Sequence, residues 1–225
     1  MKNIFIHGWS FNKEIWKDYF DVPNSEFLDL PFHGENRNYK HREEILFNFV
    51  DDLSKHLTKD NEKINLIGWS LGASVSVMTA LNLKDKIENL ILIGFSPKFK
   101  DRKLGHNPVA VKAFMLALRV DFEDTIYQFR KSAVGNEFKE IPLPEKEGSI
   151  KLLNDFINLD LRTELKKINV KTFLIHGKKD KIINYEGSVF AHSQIQSSEL
   201  ILTDSHHAPF LEDKSIILEI LTSKL

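Results

Sequence analysis

The chain has 225 residues, 42% hydrophobic and 28% charged, an ordinary globular composition at a length that can bury a sizeable core in one domain. A net charge of −1 excludes overall electrostatic steering to nucleic acid or an anionic membrane. With no cysteine, disulfides, thiol nucleophiles and thiolate metal sites are excluded as well.

In chain order, short apolar runs alternate with helix-like stretches. The start, Met1 to Gly8, is too short an apolar run for a signal peptide, and no stretch approaches a membrane span. A cytoplasmic location is therefore expected. Strands are expected at 3–7, 26–30, 63–68, 87–95, 170–176 and 198–203, with interiors such as Ile-Phe-Ile and Leu-Ile-Leu-Ile that suit burial on both faces. Helices are expected at 12–20, 42–58, 71–83, 185–193 and 214–224. This alternation predicts an α/β fold around a parallel sheet. It breaks once. Between about 97 and 160 only helical patterns occur, near 108–119, 121–132 and 145–157, with Pro142 and Pro144 as punctuation. The expected organisation is a core of 1–96 and 161–225 with a helical lid, 97–160, inserted over the strand ends.

The third apolar run ends in Gly68-Trp69-Ser70-Leu71-Gly72, and a helical pattern follows at once. Gly-x-Ser-x-Gly between strand and helix is the pattern of a nucleophile elbow, in which a strained turn lifts the serine hydroxyl above the sheet edge. Glycine is scarce here, 10 of 225 residues, so a glycine on each side of Ser70 carries weight. The bland alternative is a glycine-punctuated turn with an idle serine.

A serine nucleophile needs an oxyanion hole, a base and an orienting acid. The first strand ends at His7-Gly8-Trp9, and the loop after it and the residue after the nucleophile are positions that supply oxyanion donors. This nominates the backbone N–H groups of Trp9 and Leu71. The acid expected is Asp180, just past the strand that ends at Gly177. Asp29 precedes the elbow and so has the wrong chain order, and Asp204 lies too close to the histidine pair. The base is His206 or His207, the pair after the last strand, and the residues alone leave that choice open. No metalloprotease helix motif, phosphate loop or dinucleotide glycine pattern occurs, so no metal or cofactor is expected.

Several segments together carry a resemblance: His7-Gly8-Trp9, Asp29-Leu30-Pro31, Gly68-Trp69-Ser70-Leu71-Gly72, Ser96-Pro97-Lys98-Phe99, Asp160-Leu161-Arg162 and His207-Ala208-Pro209-Phe210. On these the chain resembles the α/β-hydrolases, and within them the family of pimeloyl-carrier-protein methyl ester esterases of biotin synthesis. The resemblance implies an α/β-hydrolase fold with a mostly parallel sheet. It assigns the base to His207, and it implies that Trp9, Trp69, Leu71 and Phe129 line an acyl pocket. Two departures stand out. The family begins with a strand pair before the His-Gly-Trp strand, whereas this chain starts on that strand, so about six strands are expected. Where the family's lid carries arginines for an acidic carrier protein, this lid has Asp124 and Gln128. Basic residues Lys98, Lys100, Arg102, Lys103, Lys112 and Arg119 stand nearby against the single acid Asp101 and form a candidate docking surface.

The expected function is that of a serine carboxylic-ester hydrolase demethylating a carrier-bound dicarboxylic acyl ester, as a monomer with no nucleic-acid or membrane partner. A less selective short-chain esterase or thioesterase would use the same residues. A non-catalytic hydrolase-like sensor would be expected to show a damaged triad or elbow.

Overall fold

The computed structural model describes residues 1–17, 20–59, 61–135 and 141–223. Six strands form one sheet: β1 (Lys2–Ile6), β2 (Ser25–Leu28), β3 (Ile64–Trp69), β4 (Ile87–Ile93), β5 (Lys171–Gly177) and β6 (Ser198–Thr203), in the spatial order β2-β1-β3-β4-β5-β6. Every pairing is parallel, so the sheet is wholly rather than mostly parallel. Side chains alternate strictly between its faces. Ile4, Ile6, Leu66, Leu90, Leu92 and Leu174 join one apolar cluster; Phe5, Ile67, Ile91, Ile93 and Phe173 join the other.

Around the sheet lie α1 (Glu14–Lys17), α2 (Ile45–Leu57), α3 (Leu71–Asn82), α7 (Glu186–Gln194), α8 (Pro209–Glu212) and α9 (Ser215–Ser223). Three more, α4 (Pro108–Val120), α5 (Phe122–Val134) and α6 (Lys146–Asn158), are inserted between β4 and β5. Their starts are capped by side chains. Asn107 accepts from the Val109 amide, Asp121 from Asp124, and Glu145 from Glu147 and Gly148. Among the described residues no helix is long and apolar enough to cross a membrane.

Two strand ends differ from expectation by more than one residue, each for a physical reason. β2 stops at Leu28 because the Asp29 carboxylate turns to accept the amides of Lys13 and Glu35, both at 2.8 Å. β4 stops at Ile93 because Gly94 adopts a left-handed φ of 57°. The single turn of α8 begins at Pro209 and was not expected; α1 begins at Glu14 rather than 12, and residues 18–19 of the expected span lie outside the described residues.

Three buried asparagines link β1, β3 and β4. Asn65 donates to Asn3 at 2.8 Å and Asn89 donates to Asn65 at 2.9 Å, in a register that pairs Asn3 with Asn65 and Asn65 with Asn89. A slip of one residue would break both bonds and turn each strand's side chains to the wrong face. The ladder therefore fixes the relative heights of the loop after β1, the turn after β3 and the end of β4. Asn65→Leu removes the partner of Asn3 Oδ1 and of Asn89 Nδ2, at about 1–3 kcal/mol for each buried group left unbonded. Denaturant unfolding should show a larger loss for Asn65→Leu than for Asn3→Ala; equal, negligible losses would refute this role for the ladder.

Candidate active site

The site forms where β1, β3, β4, β5 and β6 end. At the end of β3, Ser70 takes φ 57° and ψ −117°, a conformation that non-glycine residues rarely adopt. Close packing holds it there. A side chain on Gly68 would strike the Gly72 carbonyl and Ser76 Oγ, and one on Gly72 would strike the carbonyls of Ile6 and His7. α3 can start at Leu71 only because both positions are glycine. Ser70 is 8% exposed and opens on a cavity of about 480 Å³.

The first loop lies against this turn, and a Cβ built on Gly8 would sit 3.3 Å from Ser70 Cβ. Four contacts hold the loop. His7 Nδ1 donates to the Gly8 carbonyl at 2.7 Å, the Ser10 amide donates to His33 Nε2 at 3.0 Å, and Arg130 donates to the Ser10 carbonyl. The Trp9 indole N–H donates to the Ser149 carbonyl of α6 at 2.9 Å. His33 is completely buried and accepts a bond at Nε2, so it must stay neutral; burial, with the nearby His7, lowers its pKa to about 3. No turn or loop hydrogen bond among the described residues uses the amides of Trp9 or Leu71. The Leu71 amide, in the first turn of α3, has no partner four residues back within its helix.

In the loops after β5 and β6, His207 Nδ1 lies 2.7 Å from Asp180 Oδ2, and both side chains are buried. Asp180 also accepts the amides of Ile182 and Ile183 at 2.7 and 2.9 Å. A second imidazole reaches the same oxygen, with His176 Nε2 at 3.0 Å. Burial alone would raise the Asp180 pKa. The charge of His207 and the bonds from both imidazoles outweigh it and hold the carboxyl well below the usual carboxylate range. With Nδ1–H committed to Asp180, His207 keeps its Nε2 lone pair for a proton. His206 points elsewhere, to Glu212 at 3.1 Å on the surface, and Asp204 pairs with Lys179 at 2.8 Å.

The cavity is walled by Trp9, Phe99, Val111, Phe114, Phe129, Leu153, Phe156 and Ile157, and His106, Asp124, Thr125, Gln128, Ser132 and Lys181 are its polar members besides Ser70. Trp9 packs edge-on against Phe114 and Phe129, at 5.9 and 5.4 Å between ring centres. Two expected pocket residues are corrected. Trp69 is fully buried on the far side of the sheet among Phe11, Trp16 and Phe210, because the alternation of β3 sends it there. Its indole donates to the His207 carbonyl at 2.8 Å, so it supports that histidine's loop from behind. The Leu71 side chain is likewise buried in the core, which leaves only its amide to the site.

The basic surface is also smaller than the sequence suggests. Lys98 is paired with Asp160 at 3.0 Å, and Lys100 donates to Asn158. Arg102, Lys103, Lys112 and Arg119 are exposed, and none has a hydrogen-bonded or ion-paired side chain among the described residues. His33, Arg130 and His176 were missed by sequence reasoning. His176 directly precedes Gly177 at the end of β5, a position from which it could have been suspected.

Gly94 borders the histidine. A Cβ there would lie 3.1 Å from His207 Cε1 and 3.2 Å from Nδ1, at a φ that costs a non-glycine residue about 1–2 kcal/mol. Gly94→Ala is expected to fold with reduced stability and to displace the imidazole from Asp180. A downfield imidazole N–H proton resonance, present in the parent and lost in the variant, would report this; an unchanged resonance would contradict it.

Comparison with known proteins gives the family of the chain. A family model described as Serine aminopeptidase, S33, matches residues 27–212. A pimeloyl-[acyl-carrier protein] methyl ester esterase of Wigglesworthia glossinidia brevipalpis is 28% identical, over 97% of this chain and 91% of that protein. Its namesake from Vibrio atlanticus is 26% identical, over 98% and 92%. Among solved structures, an esterase from Exiguobacterium antarcticum superposes with a TM-score of 0.83 at 22% identity, over 100% of this chain and 91% of that one. The chain belongs to the serine aminopeptidase S33 family of α/β-hydrolases and is a hydrolase.

Proposed function

We propose that the protein is a serine carboxylic-ester hydrolase that demethylates the methyl ester of a pimeloyl chain carried on acyl carrier protein. One observation carries the catalytic reading: the Asp180–His207 hydrogen bond of 2.7 Å, in a site whose strained Ser70 opens on a largely apolar cavity. In this reading His207 Nε2 takes the Ser70 proton as Oγ attacks the ester carbonyl. Asp180 fixes the tautomer and stabilises the imidazolium. The amides of Trp9 and Leu71 hold the oxyanion. His207 then protonates departing methanol, and water cleaves the acyl-enzyme by the same steps in reverse. Phe99, Phe114 and Phe156 suit an acyl chain, and helices α4 to α6 act as its lid.

The substrate rests on the likeness to the named esterases and on cavity character. A less selective short-chain esterase has its own support. Asp124 and Gln128, bonded to each other at 3.2 Å, stand in the cavity where an arginine would favour an acidic carrier.

Ser70→Ala and His207→Ala should each lower kcat by about 10⁴–10⁶, Asp180→Asn by about 10²–10⁴, and His206→Ala only slightly. Steady-state hydrolysis by folded variants checks this. Near-normal turnover by Ser70→Ala would end the serine-hydrolase reading, and exchanged phenotypes for the two histidines would move the base to His206.

Substrate class is separated by salt. Opposite charges speed encounter, and the Debye length falls to about 10 Å at 0.1 M salt. Salt should raise KM for the carrier-bound ester and leave it nearly constant for p-nitrophenyl butyrate. Arg102→Glu with Lys103→Glu should reproduce the salt effect on the carrier substrate alone. Equal responses for both substrates would favour the general esterase.

A further inference from the structure

Arg130 sits on α5 immediately after the cavity residue Phe129, and it is only 4% exposed. Among the described residues its guanidinium donates to carbonyls only. Nε and Nη2 donate to the Ser10 carbonyl, Nη1 to that of Ile141, and Nη2 to that of Pro142 at 3.0 Å. Among the described residues it has no ion-paired carboxylate. The Phe11 ring lies 5.7 Å from the guanidinium carbon. Burying a cation is costly, and here burial lowers the guanidinium pKa to about 10. The planar fork suits this task because it reaches several carbonyls at once, which an ammonium on a flexible stem does less well.

The position of Ser10 gives that cost a purpose. Ser10 has a φ of 70°, a left-handed value like that of Ser70, and its Oγ has no partner among the described residues. Its amide is held by His33 and its carbonyl by Arg130. One residue earlier stands Trp9. The direction of the Trp9 N–H follows from the peptide plane it shares with the Gly8 carbonyl, which His7 and the Phe11 amide hold at 2.7 and 3.3 Å. The Phe11 amide in turn shares its peptide plane with the Ser10 carbonyl that Arg130 holds, so Arg130 reaches the Gly8–Trp9 plane through Phe11.

Resting on the hydrolase reading above, we propose that Arg130 is a positioning residue for the oxyanion loop, locking Ser10 from the inserted helix so that the Trp9 amide is aimed at the reacting carbonyl. The contact makes lid placement and oxyanion-hole geometry a single arrangement. It reaches the same loop as the Trp9–Ser149 bond from α6, so two of the three inserted helices are tied to the loop that carries the donor.

The test uses the full chain and p-nitrophenyl butyrate, a free ester independent of any carrier. R130M is expected to lower kcat by about 10²-fold, the order seen when an oxyanion donor is lost or misplaced, while KM changes by less than about threefold. The inhibition constant of an alkyl trifluoromethyl ketone, which forms an oxyanion adduct on the serine, should rise in parallel with the fall in kcat. Methylguanidine should restore part of the activity. A merely structural arginine would lower the melting temperature without that parallel or that rescue. If R130M does not fold, R130K carries the same test, because one ammonium cannot bridge the three carbonyls. Folded R130M or R130K with parental kcat and ketone affinity would overturn the proposal. Failure of the underlying reading looks different: the parent protein would form no ketone adduct, and Ser70→Ala would retain turnover.

Discussion

The helix α3 approaches β3 and β1 so closely that no side chain fits at Gly68 or Gly72. That contact is the constraint on which the rest of the site depends. It forces the chain to reverse within one residue, and Ser70 absorbs the reversal at a left-handed φ. The hydroxyl is thereby placed beyond the sheet edge rather than within the strand. The parallel sheet then brings four other chain segments to the same edge. The loop after β1 supplies Trp9, the end of β4 supplies the cramped Gly94, and the loops after β5 and β6 supply Asp180 and His207. Register matters because each contributor must arrive at the same height, and the Asn3–Asn65–Asn89 ladder sets that height from the opposite end of the strands.

Buried polar groups concentrate around the two loops flanking Ser70. His7, His33 and Arg130 hold backbone groups of the first loop; His176, Trp69 and the Ile182 and Ile183 amides hold Asp180 and His207. Each buried group is expensive unless bonded, so the region keeps its shape only with nearly all bonds made. Such preorganisation is what stabilising a developing negative charge requires, since donors already in place need not reorganise during reaction. The cavity adds the second ingredient. Its aromatic walls come mostly from the inserted helices and exclude water from the side of the serine where an acyl group would lie.

Much of this was legible in the sequence because its signals are local. Short apolar runs marked all six strands, including the half-buried edge strands β2 and β6, and Gly-Trp-Ser-Leu-Gly marked the turn. The position of Asp180 after its strand, ahead of the His206-His207 pair, followed from chain order. The choice of His207 came from the Ala-Pro-Phe segment that follows it, and the structure bonds His207 to Asp180 while His206 faces Glu212. What was not legible depends on tertiary contacts. Trp69 beside the nucleophile reads as a pocket wall, yet strand alternation buries it behind His207. Arg130 reads as a surface charge on an amphipathic helix, and nothing near it in sequence shows that its partners include Ser10. Lys98 reads as part of a basic run, while its partner Asp160 lies across the whole insertion.

In the proposed function Ser70 forms an acyl-enzyme with the carried chain. Rapid-quench mass spectrometry with pimeloyl-carrier-protein methyl ester tests this step. A burst of methanol stoichiometric with enzyme is expected, with the acyl group attached to the Ser70 peptide. Methanol released with no covalent species, or an acyl group found on another residue, would contradict it.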